Sequence, residues 1–417
     1  MTAPDPVALS AYAANVRRFY LYKFLSEFQL WYSLWVVYLL EKRGFSLTQV
    51  TAVDIVPLLV IVFAEMPTGA VADRWGRKVS LLLGALGSSA AIFLFGLAPS
   101  LWWVLGTYVI WGVAGTLGSG ADAAFLYDSL AALGREREFT RAMGRARACS
   151  VIAGLLGGLI GAPIAAATDL SVPILISAGL TLIAAAIVLT FREPARWEED
   201  GPHLPYLQVM HAALGHTLRH PALRSMMALN AVLMSAGMTG FMFFQPFLVD
   251  AGVAIGNFGL LDVPVRLASV AGSLVAYRLA QRLGERNLML ALTAGFSGAL
   301  LALSAVPAVA GVGMFALLNL QLSTIGPVTS EYVNRHSPQH LRATLASVAN
   351  MAVSVVFAVV EPGLGFIADD AGLRTSFFVG GAGVGGFGLL AFIAWRMASR
   401  AAPSEPPAPE PSAVAAG

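Results

Sequence analysis

Ionisable side chains set inside long apolar runs are the residues of this chain best placed to do chemistry. A charge at the centre of a membrane-spanning helix costs about 2.5–3.5 kcal/mol, so each one needs a compensating role. Glu27 stands nine residues beyond Arg18, about 13 Å along a helix, near the middle of the first apolar run. It is the leading candidate for a proton-carrying or solute-facing carboxylate; the alternative is a structural partner for a polar group on another run. Trp31 follows it at i+4, whereas Gln29 falls on a different face. Phe24, Phe28, Trp31, Trp35 and Tyr38 form a stripe at three- and four-residue intervals. Such a stripe lines a pocket for a flat apolar compound, or simply packs and anchors the helix.

The other intramembrane charges are arranged differently. Asp54 and Asp262 lie near the outer ends of the second and eighth runs, and Asp122 lies in the fourth. Arg266, four residues after Asp262, favours a local ion pair over a titrating site; binding of an anionic solute is its second reading. Glu65 precedes Met66-Pro67 near the inner end of the second run, and Glu361 precedes Pro362 in the eleventh. All six histidines fall outside the apolar runs, so proton coupling would rest on carboxylates.

The elements that must position these groups follow from composition. Of 417 residues, 57% are hydrophobic and 12% charged, too few charges for the surface of a soluble protein of this length. Twelve apolar segments are expected, at 19–40, 49–71, 79–98, 101–125, 146–167, 171–191, 225–249, 258–279, 287–305, 309–330, 345–368 and 374–396. Their lengths suit α-helices crossing about 30 Å of hydrocarbon rather than the short alternating strands of a barrel. With the N-terminus inside, all but Lys42, Arg43, Arg266 and Arg374 of the 26 Lys and Arg residues lie on the cytoplasmic side. The positive-inside rule therefore places both termini in the cytoplasm. No cleaved signal peptide is expected, so the first run serves as an uncleaved anchor. A formal charge of +2 gives no nucleic-acid footprint, and the single Cys149 excludes an internal disulfide or cysteine cluster.

Polar punctuation divides the chain into a six-helix bundle at 1–191, a cytoplasmic linker at 192–224, a second bundle at 225–397 and a disordered tail at 398–417. Leu207, Met210, Leu214 and Leu218 give the linker an amphipathic helical spacing; a solvated connector is the other reading. The halves echo one another. Asp54 stands 22 residues before Gly76 and Asp262 stands 22 before Gly284, while Arg74 matches Arg282 and Lys78 matches Arg286. The fold class expected is thus all-α and integral to the membrane, with twelve spans in two pseudo-symmetric bundles.

The most specific motif is Gly69-Ala-Val-Ala-Asp73-Arg74-Trp-Gly76-Arg77-Lys78, between the second and third runs. It resembles the G-x-x-x-D-R-x-G-R-K loop of the major facilitator superfamily, with every defining position filled. Gly69 permits close helix approach and Gly76 a tight reversal. Asp73 puts a negative charge where it can meet a helix N-terminus. The resemblance implies that this helix is the eleventh span, and that Arg77 meets an acid at the inner end of the fourth, Asp128 first and Asp122 second. Arg74, Arg77 and Lys78 as topology determinants alone is the plainer reading. In the second copy Gln281 replaces the aspartate and Tyr277 the first glycine, so a weaker latch is expected there. Gly154, Gly157, Gly158, Gly161 and Pro163 resemble the glycine-rich segment of the superfamily's antiporters, although small residues at this spacing also pack helices in any membrane protein.

No phosphate loop or nucleophile elbow is present, which leaves no ATP-driven pump and no hydrolase to assemble. The i, i+4 pairs His216/His220 and His336/His340 carry no accompanying carboxylate, and neither metal nor cofactor is expected. The expected activity is export of a small organic solute in exchange for protons by a monomer in the plasma membrane. Nutrient import is the nearest rival, and a non-transporting receptor or scaffold the rival from another class.

Overall fold

The computed structural model describes residues 6–194, 206–338 and 341–401, and its elements are helical throughout. Helix α1 (Pro6–Glu27) breaks at Phe28 and resumes as α2 (Trp35–Val37), which runs into a π-helical turn at Tyr38–Lys42. Then come α3 (Leu47–Val53) and α4 (Val56–Trp75), one span kinked at Asp54, followed by α5 (Arg77–Gly96), α6 (Leu101–Ala131), α7 (Phe139–Ala167) and α8 (Ser171–Leu189). After α9 (Tyr206–Arg219), the second half comprises α10 (Pro221–Asp250), α11 (Phe258–Leu303), α12 (Ala308–Arg335), α13 (Arg342–Ala371) and α14 (Leu373–Ala401).

Ten described helical stretches are long and apolar enough to cross a membrane. One of these is α11, whose 46 residues turn a corner at Gly284 and therefore supply two spans. The broken α1–α2 adds the twelfth. Twelve spans bring Pro6 and Ala401 to the same end of the fold, called the inner end below because the basic loops gather there. Large apolar side chains face outward all round, among them Trp102 at 82% and Phe63 at 78% exposure. In water such a surface would aggregate; against lipid it is solvated.

Local chemistry explains where the helices begin and turn. Ser46 and Gln49 form a reciprocal capping box at the start of α3, and Ser100 accepts from the Trp103 amide at the start of α6. Gly76 (φ 105°) separates α4 from α5 in a conformation that L side chains rarely adopt, as the reversal expected there requires. Gly284 (φ 70°) marks the equivalent corner of the second half. In the second half Phe315 packs edge-on against Phe244, Phe247 and Phe377, with centroids 5.1, 5.2 and 6.0 Å apart. Around the linker helix, Ala213 joins a small cluster with Leu223, Met227, Leu345 and Val348, while Leu214 and Leu218 stay exposed.

The first span corrects the expectation of one continuous helix over 19–40. Its break at 28–34 contains neither proline nor glycine, and tertiary partners replace the lost helical bonds. Ser177 Oγ accepts from the Leu30 amide (2.9 Å), and Gln29 Nε2 donates to the Ser26 carbonyl (2.7 Å). Gln245 of α10 accepts from the Val36 and Val37 amides (3.0 and 3.3 Å) and donates to the Tyr32 carbonyl (3.1 Å).

Candidate functional site

The break in the first span is where the site is built. Helix α7 lies against the unwound strand through its glycines: a Cβ at Gly157 would meet the Gln29 backbone, one at Gly161 would overlap the Leu30 carbonyl, and one at Gly158 would meet Ser33 Oγ. Gly259 of α11 packs in turn on the Gly158 backbone. The glycine-rich segment thus admits an irregular backbone into the middle of the fold, a packing role that needs no reference to transport direction.

Glu27, the last residue of α1, sits at this break and lines two cavities. The first, about 260 Å³, lies within the N-terminal half among α1, α5, α6 and α8. The second, about 320 Å³, lies between the halves and reaches from Asp262 and Arg266 to Arg147 in the inner part of α7. Tyr32 also lines both, and its hydroxyl donates to Glu27 Oε2 at 3.3 Å. Trp31 does not stack one turn above Glu27 as an unbroken helix would place it. Instead its indole donates to Gln29 Oε1 (2.7 Å), and the Gln29 amide donates to Thr181 Oγ1 (2.9 Å). Trp111 meets Trp31 edge-on at 6.4 Å, so the aromatic lining of the first cavity comes from two spans.

Four of the remaining cavity charges are matched in pairs, while Arg147 lines the second cavity outside any ion pair among the described residues. Lys23 Nζ lies 2.8 Å from Asp122 Oδ2. Lys23 counts as a basic residue at the inner junction when the sequence is read for topology, but the structure puts it in the cavity wall beside Asp122. Asp122 is therefore Lys23's partner rather than Arg77's. Arg266 Nε lies 2.6 Å from Asp262 Oδ2, the expected local pair, and Ser33 Oγ donates to the same oxygen (2.7 Å). Glu27 has no cation within ion-pair distance among the described residues.

At the inner end, Arg77 is paired with Asp128, the first of its two expected partners, and also donates to the Ala124 carbonyl (2.7 Å). The start of α5 is capped by Glu193, which accepts from the Arg77 and Lys78 amides at 2.7 and 2.8 Å. Sequence reading missed this cap, because Glu193 lies beyond α8 and far from the motif in the chain. Arg74 is exposed, and Lys78 Nζ reaches the Leu189 carbonyl (2.7 Å). A Cβ at Gly69 would meet nothing, so close approach does not explain that glycine here. The Asp73 side chain and His340 lie outside what the structure describes. The second half carries a corresponding clasp with the signs reversed: Glu285, just after Gly284, pairs with Arg335 at the end of α12.

The halves meet at the outer end. Asp369 of α13 accepts from the Leu47 and Thr48 amides of α3 (2.9 and 2.8 Å) and from Thr48 Oγ1 (2.5 Å). Gly365, one turn inward, packs on Thr51 and Thr48. Gln245 joins α10 to the resumed first span, and α7 packs on α11 near Gly259. No comparable packing joins the inner portion of α4 to α13. The described residues therefore close the outer end, and contacts of that kind between the halves are not repeated at the inner end among them.

Two helical bundles packed across a central interface are an architecture of membrane transporters. The family model of the Major Facilitator Superfamily matches residues 20–360, and this chain belongs to that superfamily. Solved structures show the same fold. A crystal structure of the nucleoside transporter NupG, as an aspartate-to-alanine mutant, matches with a TM-score of 0.77 at 15% identity, covering 92% of this chain and 99% of that one. A bacterial homolog of the human lysosomal transporter Spinster, in an inward-facing and occupied conformation, gives 0.74 at 16% identity, covering 94% and 97%. The peptide transporter POT gives 0.71 at 11% identity, covering 93% and 95%.

Proposed function

We propose that the protein exports small organic solutes across the plasma membrane in exchange for protons, with both termini cytoplasmic and Glu27 as the proton-carrying carboxylate. The observation that carries this reading is the charge balance of the central cavities. Lys23 with Asp122 and Arg266 with Asp262 cancel in pairs, which leaves Glu27 as the one cavity carboxylate outside an ion pair, with only a phenol as partner, and Arg147 as the other unmatched charge, in the inner part of the second cavity. Its position at the C-terminal end of α1 adds the negative end of a helix dipole, so a proton or a cationic solute is the favoured occupant. Trp31, Trp111 and Tyr32 supply aromatic faces for a flat cation. Small organic solutes are also the class named for the nucleoside and peptide transporters that share the fold. Asp73, Arg74 and Lys78 complete an inner latch that forms when the inner end closes, with Arg77–Asp128 as its anchor.

The test uses inside-out vesicles with an acidic lumen and a fluorescent aromatic cation as the transported probe. Wild-type protein should accumulate the probe, and Glu27→Gln should lose gradient-driven accumulation while still exchanging probe without a gradient. Undiminished gradient-driven accumulation by the variant would refute the role given to Glu27. Topology is checked in a Cys149→Ser background. Cysteines at Ser46 and Ser100 should react with an impermeant reagent from outside, and a cysteine at the exposed Thr140 only after permeabilisation; Ser80, the other inner position, is fully buried and would not report.

A further inference from the structure

Glu361 belongs to neither cavity. It has no exposed surface, and it is the one carboxyl group among the described residues whose two oxygens are both buried without a hydrogen-bond partner. The antiparallel packing of α13 on α3 sets its surroundings. Asp369 meets Leu47 and Thr48, Gly365 meets Thr51, and one further turn inward brings Glu361 level with Asp54 at the kink of the second span. Asp54 is the charged group that bears on Glu361, and it comes from the opposite half. From α10 the Thr239 hydroxyl faces Glu361, but its proton goes to the Ser235 carbonyl at 3.0 Å. No Lys, Arg or His bears on either acid among the described residues. The cations of α10 and α14, such as Arg224 and Arg374, stand in terminal turns. On α13 itself, Asp369 lies two turns outward and is occupied by the α3 amides.

We infer that Glu361, together with Asp54, forms a proton-binding site at the interface of the halves whose occupancy decides whether the outer end can close. An ionised carboxylate without a partner cannot be sealed into an apolar interface without a large desolvation penalty, and a second carboxylate facing it adds repulsion. When α3 and α13 separate at the outer end, water reaches both acids and they ionise. Closure then requires a proton from the external water, transferred from hydronium to a carboxylate oxygen; reopening returns it by the same path. The closed outer end of this structure is the protonated state of Glu361. External acidity therefore acts on the conformational equilibrium directly, at a site separate from Glu27 and from the central cavities.

The test reads accessibility and needs no solute, so it is independent of the export reading. A Thr51→Cys reporter in the Cys149→Ser background sits on α3 where Gly365 packs. Its labelling by an impermeant maleimide in right-side-out vesicles is divided by that of Ser100→Cys, which corrects for the reagent's own pH dependence. Between about pH 8 and about pH 6 the ratio should fall roughly tenfold, within the limit of tenfold per pH unit for one linked proton. Glu361→Gln, which cannot ionise, should give a low ratio at both pH values. Where that variant fails to fold, Asp54→Asn serves as the second variant and should flatten the slope. A ratio independent of pH in the wild-type chain would overturn the inference. So would a wild-type slope retained in Glu361→Gln, or a ratio set by sodium concentration at fixed pH.

Discussion

Asp369 offers a measurable handle on the balance between the two orientations. Its carboxylate satisfies the first two amides of α3 across the interface, Ser46 Oγ satisfies the third, that of Gln49 (3.2 Å), and the Ser46 carbonyl accepts from Val50 (3.0 Å). The start of α3 is thus fully capped only while the outer end is closed. A helix-capping side chain contributes about 1 kcal/mol, and a negative charge at an exposed helix N-terminus adds about 0.3–1 kcal/mol. Asp369→Ala removes both contributions, roughly 1.5 kcal/mol in all, and so lowers the closed-to-open ratio of the outer end about tenfold. The Thr51→Cys reporter should then label about tenfold faster from outside, after normalisation to Ser100→Cys. Asp369→Asn keeps an acceptor and loses the charge, and a rise of about threefold is expected. A folded Asp369→Ala protein with an unchanged labelling rate would refute the idea that this cap holds the outer end shut.

Three further outcomes follow from the packing. Gly161→Ala should cost about 1–3 kcal/mol and lower thermal stability in detergent, because its methyl would overlap the Leu30 carbonyl; Gly179→Ala, with open space around it, should be neutral. Arg77→Met leaves Asp128, whose side chain is 4% exposed, without its partner. A loss of about 3–5 kcal/mol is expected, partly restored in the charge-swapped double variant Arg77→Asp with Asp128→Arg, as a double-mutant cycle would show. At the outer surface Lys42, through its hydrogen bond, holds the Asp169 carboxyl below the ordinary carboxylate range. A lowered value means that this pair's contribution is complete above the unfolded value near 3.9 and is lost only as pH falls below it. Asp169→Asn should therefore leave the shape of any transport profile between about pH 5 and about pH 8 unchanged, a result read directly from the rates.

The fold was legible because it is written in quantities that need no tertiary knowledge. Apolar run length, the placement of Arg and Lys, and the Asp-Arg-x-Gly-Arg-Lys loop are all local, and Gly76 and Arg77 did what their types require. The site was legible only in part. Glu27 was singled out because a carboxylate in an apolar run is conspicuous, but the break beside it has no glycine or proline to announce it. The unwound segment exists because Ser177, Gln245 and Gly161, all remote in the chain, accept its backbone. The same remoteness hid Lys23, which reads as an ordinary basic residue near a membrane boundary until Asp122 is brought to 2.8 Å. Glu193 and Asp369 escaped notice for a related reason. Each caps a helix from outside its own segment, and a cap of that kind leaves no spacing in the sequence to detect.

The reversed polarity of the two inner clasps bears on how the chain assembles. Each half makes the same hairpin, α5 with α6 and the latter part of α11 with α12, and hairpins of such similar shape are prone to exchange while a multispan chain is being inserted. Arg77 stands on the first arm of one hairpin and Arg335 on the second arm of the other; Asp128 and Glu285 stand on the remaining arms. An exchanged pairing would therefore set arginine against arginine and carboxylate against carboxylate. Correct pairing gains two ion pairs, and the swapped one meets two repulsions. A duplicated architecture thereby acquires a means of telling its own copies apart during biogenesis.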